Sequence, residues 1–225
     1  MKAAIFQIQA ESGNIEANIG RHLMLARKPI AKGAQLLVFP ELSLTGYEPA
    51  PAAAMPLSLD DARLAVFQSL SEVAQVTLLV GAPVRLNGNV HIGSFLFQPT
   101  RPVQLLTKEH LHPDELPFFQ PGPRSELFTV ANKRVGLAIC YELSVAAHLG
   151  RLQQAGADML VVSAVKSVRG IDRAHEQAQH SAQQVGWPVV FCNSVGQADG
   201  ATCAGRSAVW NKQGLALATL SPDEE

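Results

Sequence analysis

Residues 134–142 read Arg134-Val135-Gly136-Leu137-Ala138-Ile139-Cys140-Tyr141-Glu142, an apolar run that ends on a thiol and, two places on, an acid. The segment 135–139 has the length and composition of a buried strand, so it delivers Cys140 at a strand end. A helix-periodic stretch over 145–154 follows, then a second apolar run at 159–163. A long helix over 172–185 passes through Gly186-Trp187-Pro188 into a third run at 189–192. Short apolar runs alternating with helical segments are the pattern of an α/β domain.

The alternation also holds upstream. Residues 3–8 read as a first strand, followed by a helix with Asn14 as N-cap and Ile15, Ile19, Leu23, Ala26 and Ile30 along one stripe. Gly33 ends that helix, 36–39 is a buried strand, and Pro40 closes it. Residues 42–56 carry Pro49, Pro51 and Pro56 besides Gly46, which predicts a loop. A helix over 60–74 and a strand over 78–80 come next. Asn87-Gly88 marks a hairpin turn between strands at 82–86 and 90–97. Residues 108–123, dense in His, Pro and acids, read as loop, and 207–210 with 215–220 as a closing hairpin around Lys212-Gln213-Gly214.

At 225 residues one domain spanning 1–225 is expected. Folding at this size buries roughly 70–75% of the extended chain's surface. Charged residues are only 16% of the chain, and 18 Lys plus Arg face 19 Asp plus Glu, a net charge of -1. No basic field or run is present to attract nucleic acid or anionic lipid. Three cysteines, Cys140, Cys192 and Cys203, fit neither a disulfide framework nor a zinc site. The N-terminus turns polar too quickly for a signal peptide, and apolar runs fall short of the ~18 residues of a membrane span. The expectation is a cytoplasmic protein with no membrane contact.

Three strand ends carry reactive side chains: Glu41 after Phe39-Pro40, Lys108 after Leu105-Leu106-Thr107, and Cys140. Loops at strand ends present residues that a rigid sheet aims. A thiol with a pKa of ~8.5 is mostly protonated at neutral pH and needs a base or a nearby cation. A carboxylate such as Glu41 takes its proton and returns it to a leaving amine. A lysine such as Lys108 holds an oxyanion, with help from the N–H of Tyr141. Singly, each residue has a plainer reading: a buried small hydrophobe, a solvated loop acid, a surface charge.

Together the three segments resemble the nitrilase superfamily, the carbon–nitrogen hydrolases. Phe-Pro-Glu-Leu-Ser-Leu-Thr-Gly-Tyr at 39–47 is similar to the family's glutamate motif, Lys-Glu-His-Leu at 108–111 to its lysine motif, and 134–142 to its cysteine motif, all in the family's order. Gln7 in the first strand, the 114–122 segment ending in Pro-Gly, the 156–163 strand, Asn193 and Gly205-Arg206-Ser207 extend the resemblance over nearly the whole chain. In the 114–122 segment many relatives carry a second glutamate that orients the lysine and the hydrolytic water; Glu115 is the match and Asp114 the rival.

The resemblance implies a four-layer αββα sandwich, candidate catalytic residues Glu41, Lys108, Cys140 and Glu115, no cofactor, no metal, and a homodimer. The implied reaction is hydrolysis of a small-molecule amide through a thioester. Tyr141 stands where true nitrilases usually have tryptophan, which favours amides over nitriles; N-carbamoyl amines stay open. Tyr47, Tyr141, Glu142 and Lys166 are candidate substrate-binding residues, with Tyr47 packing over the site. Lys166 lies where relatives often carry an aromatic residue, and it either binds a substrate carboxylate or faces solvent. The chain ends soon after Leu220, which predicts a short dimerisation tail. No second domain for ATP chemistry is expected, so an ammonia-supplying role calls for a separate synthetase chain.

Several other features lead elsewhere. His175 and His180, five apart on a helix, lie about 140° apart around it and are no metal pair. His110 and His112 read as loop histidines, Cys192 and Cys203 as structural thiols. A catalytically silent binding module is the alternative from another class.

Overall fold

The computed structural model describes residues 1–223. Strands β1 (Ala3–Ile5), β2 (Leu36–Val38), β3 (Thr77–Leu86), β4 (Asn89–Phe97) and β5 (Gln104–Thr107) form one sheet in that order. The second half supplies β6 (Phe128–Val130), β7 (Lys133–Ile139), β8 (Met159–Ala164), β9 (Val189–Asn193), β10 (Val195–Ala198), β11 (Ala201–Ala204), β12 (Ala208–Trp210) and β13 (Ala216–Thr219). All but β10 and β11, which pair as a separate hairpin, make a six-stranded sheet in the order β13-β12-β9-β8-β7-β6. Helices are α1 (Ile15–Ala31), the short α2 (Pro49–Ala53), α3 (Ala65–Ala74), α4 (Ala146–Gln154) and α5 (Ile171–Val185).

In the first sheet β1-β2-β3 are parallel with β1 at one edge, and β4 and β5 add antiparallel at the other. In the second, parallel β7-β8-β9 are flanked by antiparallel strands on both sides, and helical crossovers join the parallel strands. Residue alternation in β2 explains the layering. Leu36 and Val38 enter the core shared with the second sheet, where Ala138 and Val162 lie. Leu37 and Phe39 enter the opposite core, with Ile19 and Ala26 of α1 and Phe67 of α3. A strand buried on both faces reads as a continuous apolar run. With α4 and α5 on the far face of the second sheet, the result is helix, sheet, sheet, helix: the αββα sandwich.

The sheets are stitched at the end where the reactive segments emerge. Ser163 Oγ at the end of β8 donates to Phe39 O at 2.9 Å, and the Cys192 thiol lies 3.2 Å from Val38 O and from Phe6 O. Cys192 is therefore structural, as expected.

Asn14 caps α1 through Ala17 N, and Asn87 and Gly88 both take positive φ in the β3–β4 turn. Some elements differ from the sequence reading. β3 is one ten-residue strand rather than two, because Gly81 does not break it. A Cβ there would collide with Pro40 O and lie 2.6 Å from Leu42 N, so the missing side chain makes room for the turn bearing Glu41. The 42–56 loop contains α2, and the helix expected over 60–74 opens as a 3-10 turn, Ala62–Leu64, capped by Asp61. β6 and the β10–β11 hairpin were not expected.

Gly81→Ala should destabilise the fold by about 1–3 kcal/mol, the range for overpacking, and shift the Glu41 turn. Denaturant melts measure the first; a midpoint equal to that of the parent protein would show that the turn has room to spare.

Candidate active site

Four side chains converge where the sheets are stitched. Glu41 follows β2, Lys108 follows β5, Cys140 follows β7, and Glu115 closes a 3-10 turn at Pro113–Glu115. Lys108 Nζ donates to Glu41 Oε1 and to Glu115 Oε1, both at 2.7 Å. Lys108 and Glu115 are completely buried and Glu41 is 2% exposed. Asp114, one residue earlier, points outward beside His112, so it is Glu115 that reaches the lysine. Tyr47 donates its hydroxyl to Glu115 Oε1 at 2.7 Å, and His112 N donates to Oε2 at 2.8 Å. Glu115 is thus fully engaged, whereas Glu41 Oε2 is buried and accepts nothing.

Cys140 has φ 49°, a left-handed conformation rare for a residue with a Cβ. This tight turn from β7 into the 3-10 turn Cys140–Ser144 lifts the thiol out of the sheet, with Sγ 3.7 Å from Val165 O. The turn is braced by Glu142. Its Oε2 accepts from Ile139 N at 2.8 Å, and its Oε1 accepts from Glu109 N at 2.7 Å and His110 N at 3.2 Å. Glu142 was expected to bind substrate; instead it is 1% exposed, is not among the residues bordering the cavity over the thiol, and ties the Cys140 turn to the Lys108 loop. Backbone N–H groups at a sheet end need acceptors, and this carboxylate supplies three hydrogen bonds to them.

A cavity of about 290 Å³ opens over the thiol, bordered by Tyr47, Glu115, Tyr141, Lys166 and Cys203. Tyr47, Tyr141 and Lys166 therefore stand where the sequence placed them, at the pocket. Cys203, read as structural, is a wall residue, brought there by the β10–β11 hairpin. His112 also reaches the cavity, edge-on to Tyr141, while His110 packs against His148 instead. Asn193 fixes the Lys166 backbone: Oδ1 accepts from Lys166 N at 2.7 Å and Nδ2 donates to Lys166 O at 3.1 Å. Gln7 and Ser207 support this arrangement, with Ser207 N donating to Gln7 Oε1 and Asn193 N to Ser207 Oγ, each at 2.8 Å.

Glu109, His110 and His148 group their potential ligand atoms within 4.8 Å. Arg151 and Arg124 already pair with Glu109, and His148 Nε2 is spent on Leu137 O, so the group is an ion-pair cluster rather than a cation site.

The electrostatics follow from burial. Desolvation pushes the Glu41 carboxyl up more than Lys108 pulls it down, which makes Glu41 a stronger base. Burial works against the Lys108 ammonium, but the charges of Glu41, Cys140 and Glu115 outweigh it, and the lysine stays protonated. The Cys140 thiol is raised by burial and by Glu41, against the pull of Lys166 and Lys108. The pull of both lysines is outweighed by burial and Glu41, so the thiol form of Cys140 is favoured at rest. Burial, with Cys140 and Glu48 adding to it, pushes Cys203 up to about 11, and burial pushes Cys192 up to about 12. A thiol and an acid at one cavity, with a second acid and a cation buried behind them, suit nucleophilic attack on a carbonyl carbon.

Residues 2–225 match the family model described as carbon-nitrogen hydrolase. The chain is 26% identical, over its whole length, to the glutamine-dependent NAD(+) synthetase of Rhodobacter capsulatus, covering 42% of that protein. It is 29% identical over 164 residues to an (R)-stereoselective amidase of a Pseudomonas species, which spans 72% of this chain and 60% of that one. The chain thus spans less than two thirds of either relative. Its fold superposes on an amidase from Nesterenkonia sp. AN1, whose structure shows acrylamide added at the active-site cysteine, with a TM-score of 0.90 at 21% identity, covering 99% of this chain and 89% of that one.

Lys108→Met would leave Glu41 and Glu115 buried without a counter-charge, which costs about 3–5 kcal/mol at neutral pH. Glu41 then rises further above its unfolded value. A group raised on folding stabilises below its unfolded pKa and loses that contribution as pH climbs through the folded one. The deficit against wild type should therefore be smallest below about pH 4, where unfolded carboxyls protonate. Denaturant midpoints of both proteins across pH test this, and a pH-independent deficit would contradict it.

Proposed function

The chain belongs to the carbon-nitrogen hydrolase family, and we propose that it hydrolyses the C–N bond of a small-molecule amide through a thioester on Cys140. The observation that carries the reading is the buried Lys108 ammonium, 2.7 Å from each of two carboxylates, behind a thiol at the floor of a cavity.

Glu41 takes the thiol proton as sulfur attacks the carbonyl carbon. The oxyanion is held by Lys108 and the Tyr141 N–H, donors fixed before the charge develops. Glu41 returns the proton to the leaving nitrogen, and ammonia or an amine departs. Water then gives a proton to Glu41 and attacks the thioester, positioned by Glu115. Collapse releases the carboxylic acid, and the thiolate recovers the proton from Glu41. For a primary amide the balance is amide plus water to acid plus ammonia. Tyr47 orients Glu115, and Tyr47, Tyr141 and Lys166 contact the substrate.

The full-length match to NAD(+) synthetases favours a second reading with the same chemistry: glutamine is the amide, and the ammonia serves a synthetase. N-carbamoyl amines and nitriles complete the substrates to be compared. A silent binding module is disfavoured by the intact set of acid, cation and thiol. Assembly as a homodimer and a cytoplasmic location belong to the same proposal. No helix among the described residues is long and apolar enough to cross a membrane. Sedimentation velocity reads the dimer directly, a monomer at micromolar concentration being the contrary result.

Ammonia release from primary amides, glutamine, carbamoyl amines and nitriles should depend wholly on Cys140. Cys140→Ala should still bind the preferred amide yet lose at least ~10³-fold in turnover, as expected for loss of a covalent nucleophile. Turnover by Cys140→Ala near the wild-type rate would overturn the assignment.

A further inference from the structure

Beyond the cavity over Cys140 lies a second one, of about 300 Å³, and the two share Lys166, His112, Tyr141 and Gly170. The inner cavity carries acids, Asp114, Glu115 and Asp199. The outer one has none among its lining residues; Arg173 lines it together with the shared Lys166 and the neutral donors Ser144 and Gln177. Neither Lys166 nor Arg173 has a carboxylate within ion-pair distance among the described residues. This contrasts with Arg63, Arg124, Arg151 and Arg206, each of which does.

Two cations without a carboxylate partner among the described residues line one concave space that has no acid on its walls, and such a space favours an anion. Lys166 is not free to swing away with its loop, because Asn193 grips its backbone on both sides. Arg173 lies on the first turn of α5, whose N-cap residue, Gly170, borders both cavities without a side chain to separate them. An anion in the outer lobe would have both cations on its walls, and the four shared lining residues join that lobe to the cavity over Cys140.

We propose that the outer lobe is an anion subsite formed by Lys166 and Arg173, and that the preferred substrates are amides whose acyl part ends in a carboxylate. The inference rests on the hydrolase reading above and narrows it. It assigns the amide carbonyl to the inner cavity, over Cys140, and the distal carboxylate to the outer one. Lys166 stands at the waist between them.

Matched substrates test it: monoamides of four- and five-carbon dicarboxylic acids against neutral alkyl amides of equal length. Charge-assisted hydrogen bonds to a carboxylate should raise kcat/KM for the acids by roughly tenfold or more. That preference should shrink with added salt and fall toward unity in Arg173→Met and Lys166→Met, while Lys166→Arg keeps it. Binding is read separately by calorimetry in the Cys140→Ala protein, where adding Arg173→Met should weaken the four-carbon monoamide about tenfold. Cys140-dependent hydrolysis of neutral and anionic amides with equal kcat/KM, or a preference that survives both methionine variants, would overturn the subsite and leave the hydrolase standing. No turnover of any amide and no acyl adduct on Cys140 by mass spectrometry would overturn the hydrolase reading, and this inference with it.

Discussion

The Lys108 ammonium, held between Glu41 and Glu115 with no exposed surface, constrains everything around it. Removing three ionised groups from water is tolerable only as a set, since each loses solvation that the others must replace. The three come from separate parts of the chain: the end of β2, the end of β5 and a 3-10 turn. Bringing them together requires that the first sheet close at one end over a particular loop. It also requires that Cys140, from the other sheet, stand beside them. The hydrogen bonds from Ser163 to Phe39 O and from Cys192 to Val38 O hold the sheets in register at that end.

The neighbouring backbone is arranged to keep this centre rigid. Gly81 lets the Glu41 turn settle onto β3, and Cys140 takes a left-handed φ that few residues adopt. Glu142 binds the N–H groups of Ile139, Glu109 and His110, so the cysteine turn and the lysine loop move as one body. Asn193 does the same for the Lys166 segment. Such supports suit a site built for electrostatic stabilisation, in which donors must be in place before charge develops.

Much of this was legible from the chain. Buried strands announce themselves as apolar runs, and a reactive residue directly after such a run stands at a strand end, which located Glu41, Lys108 and Cys140 correctly in the fold. Which of two adjacent acids turns inward is set by the 3-10 turn at Pro113–Glu115, whose geometry no side-chain pattern encodes. Glu142 was misread because its neighbours in sequence suggested the pocket. Its partners are backbone N–H groups, and the demand of those groups for an acceptor appears only in three dimensions. The β10–β11 hairpin escaped because Gly196, Gln197, Asp199 and Gly200 interrupt any apolar alternation, and with it went the placement of Cys203. Gly81 reads as a break in sequence and is a close contact in space.

The resting state of Cys140 has one more effect. Burial and the adjacent Glu41 keep its sulfur protonated, and thiols react far more slowly than thiolates with peroxides and alkylating agents. In the proposed reaction the sulfur would ionise as a seated electrophile lets Glu41 take its proton, so small oxidants that enter the open cavity would meet mainly the less reactive thiol.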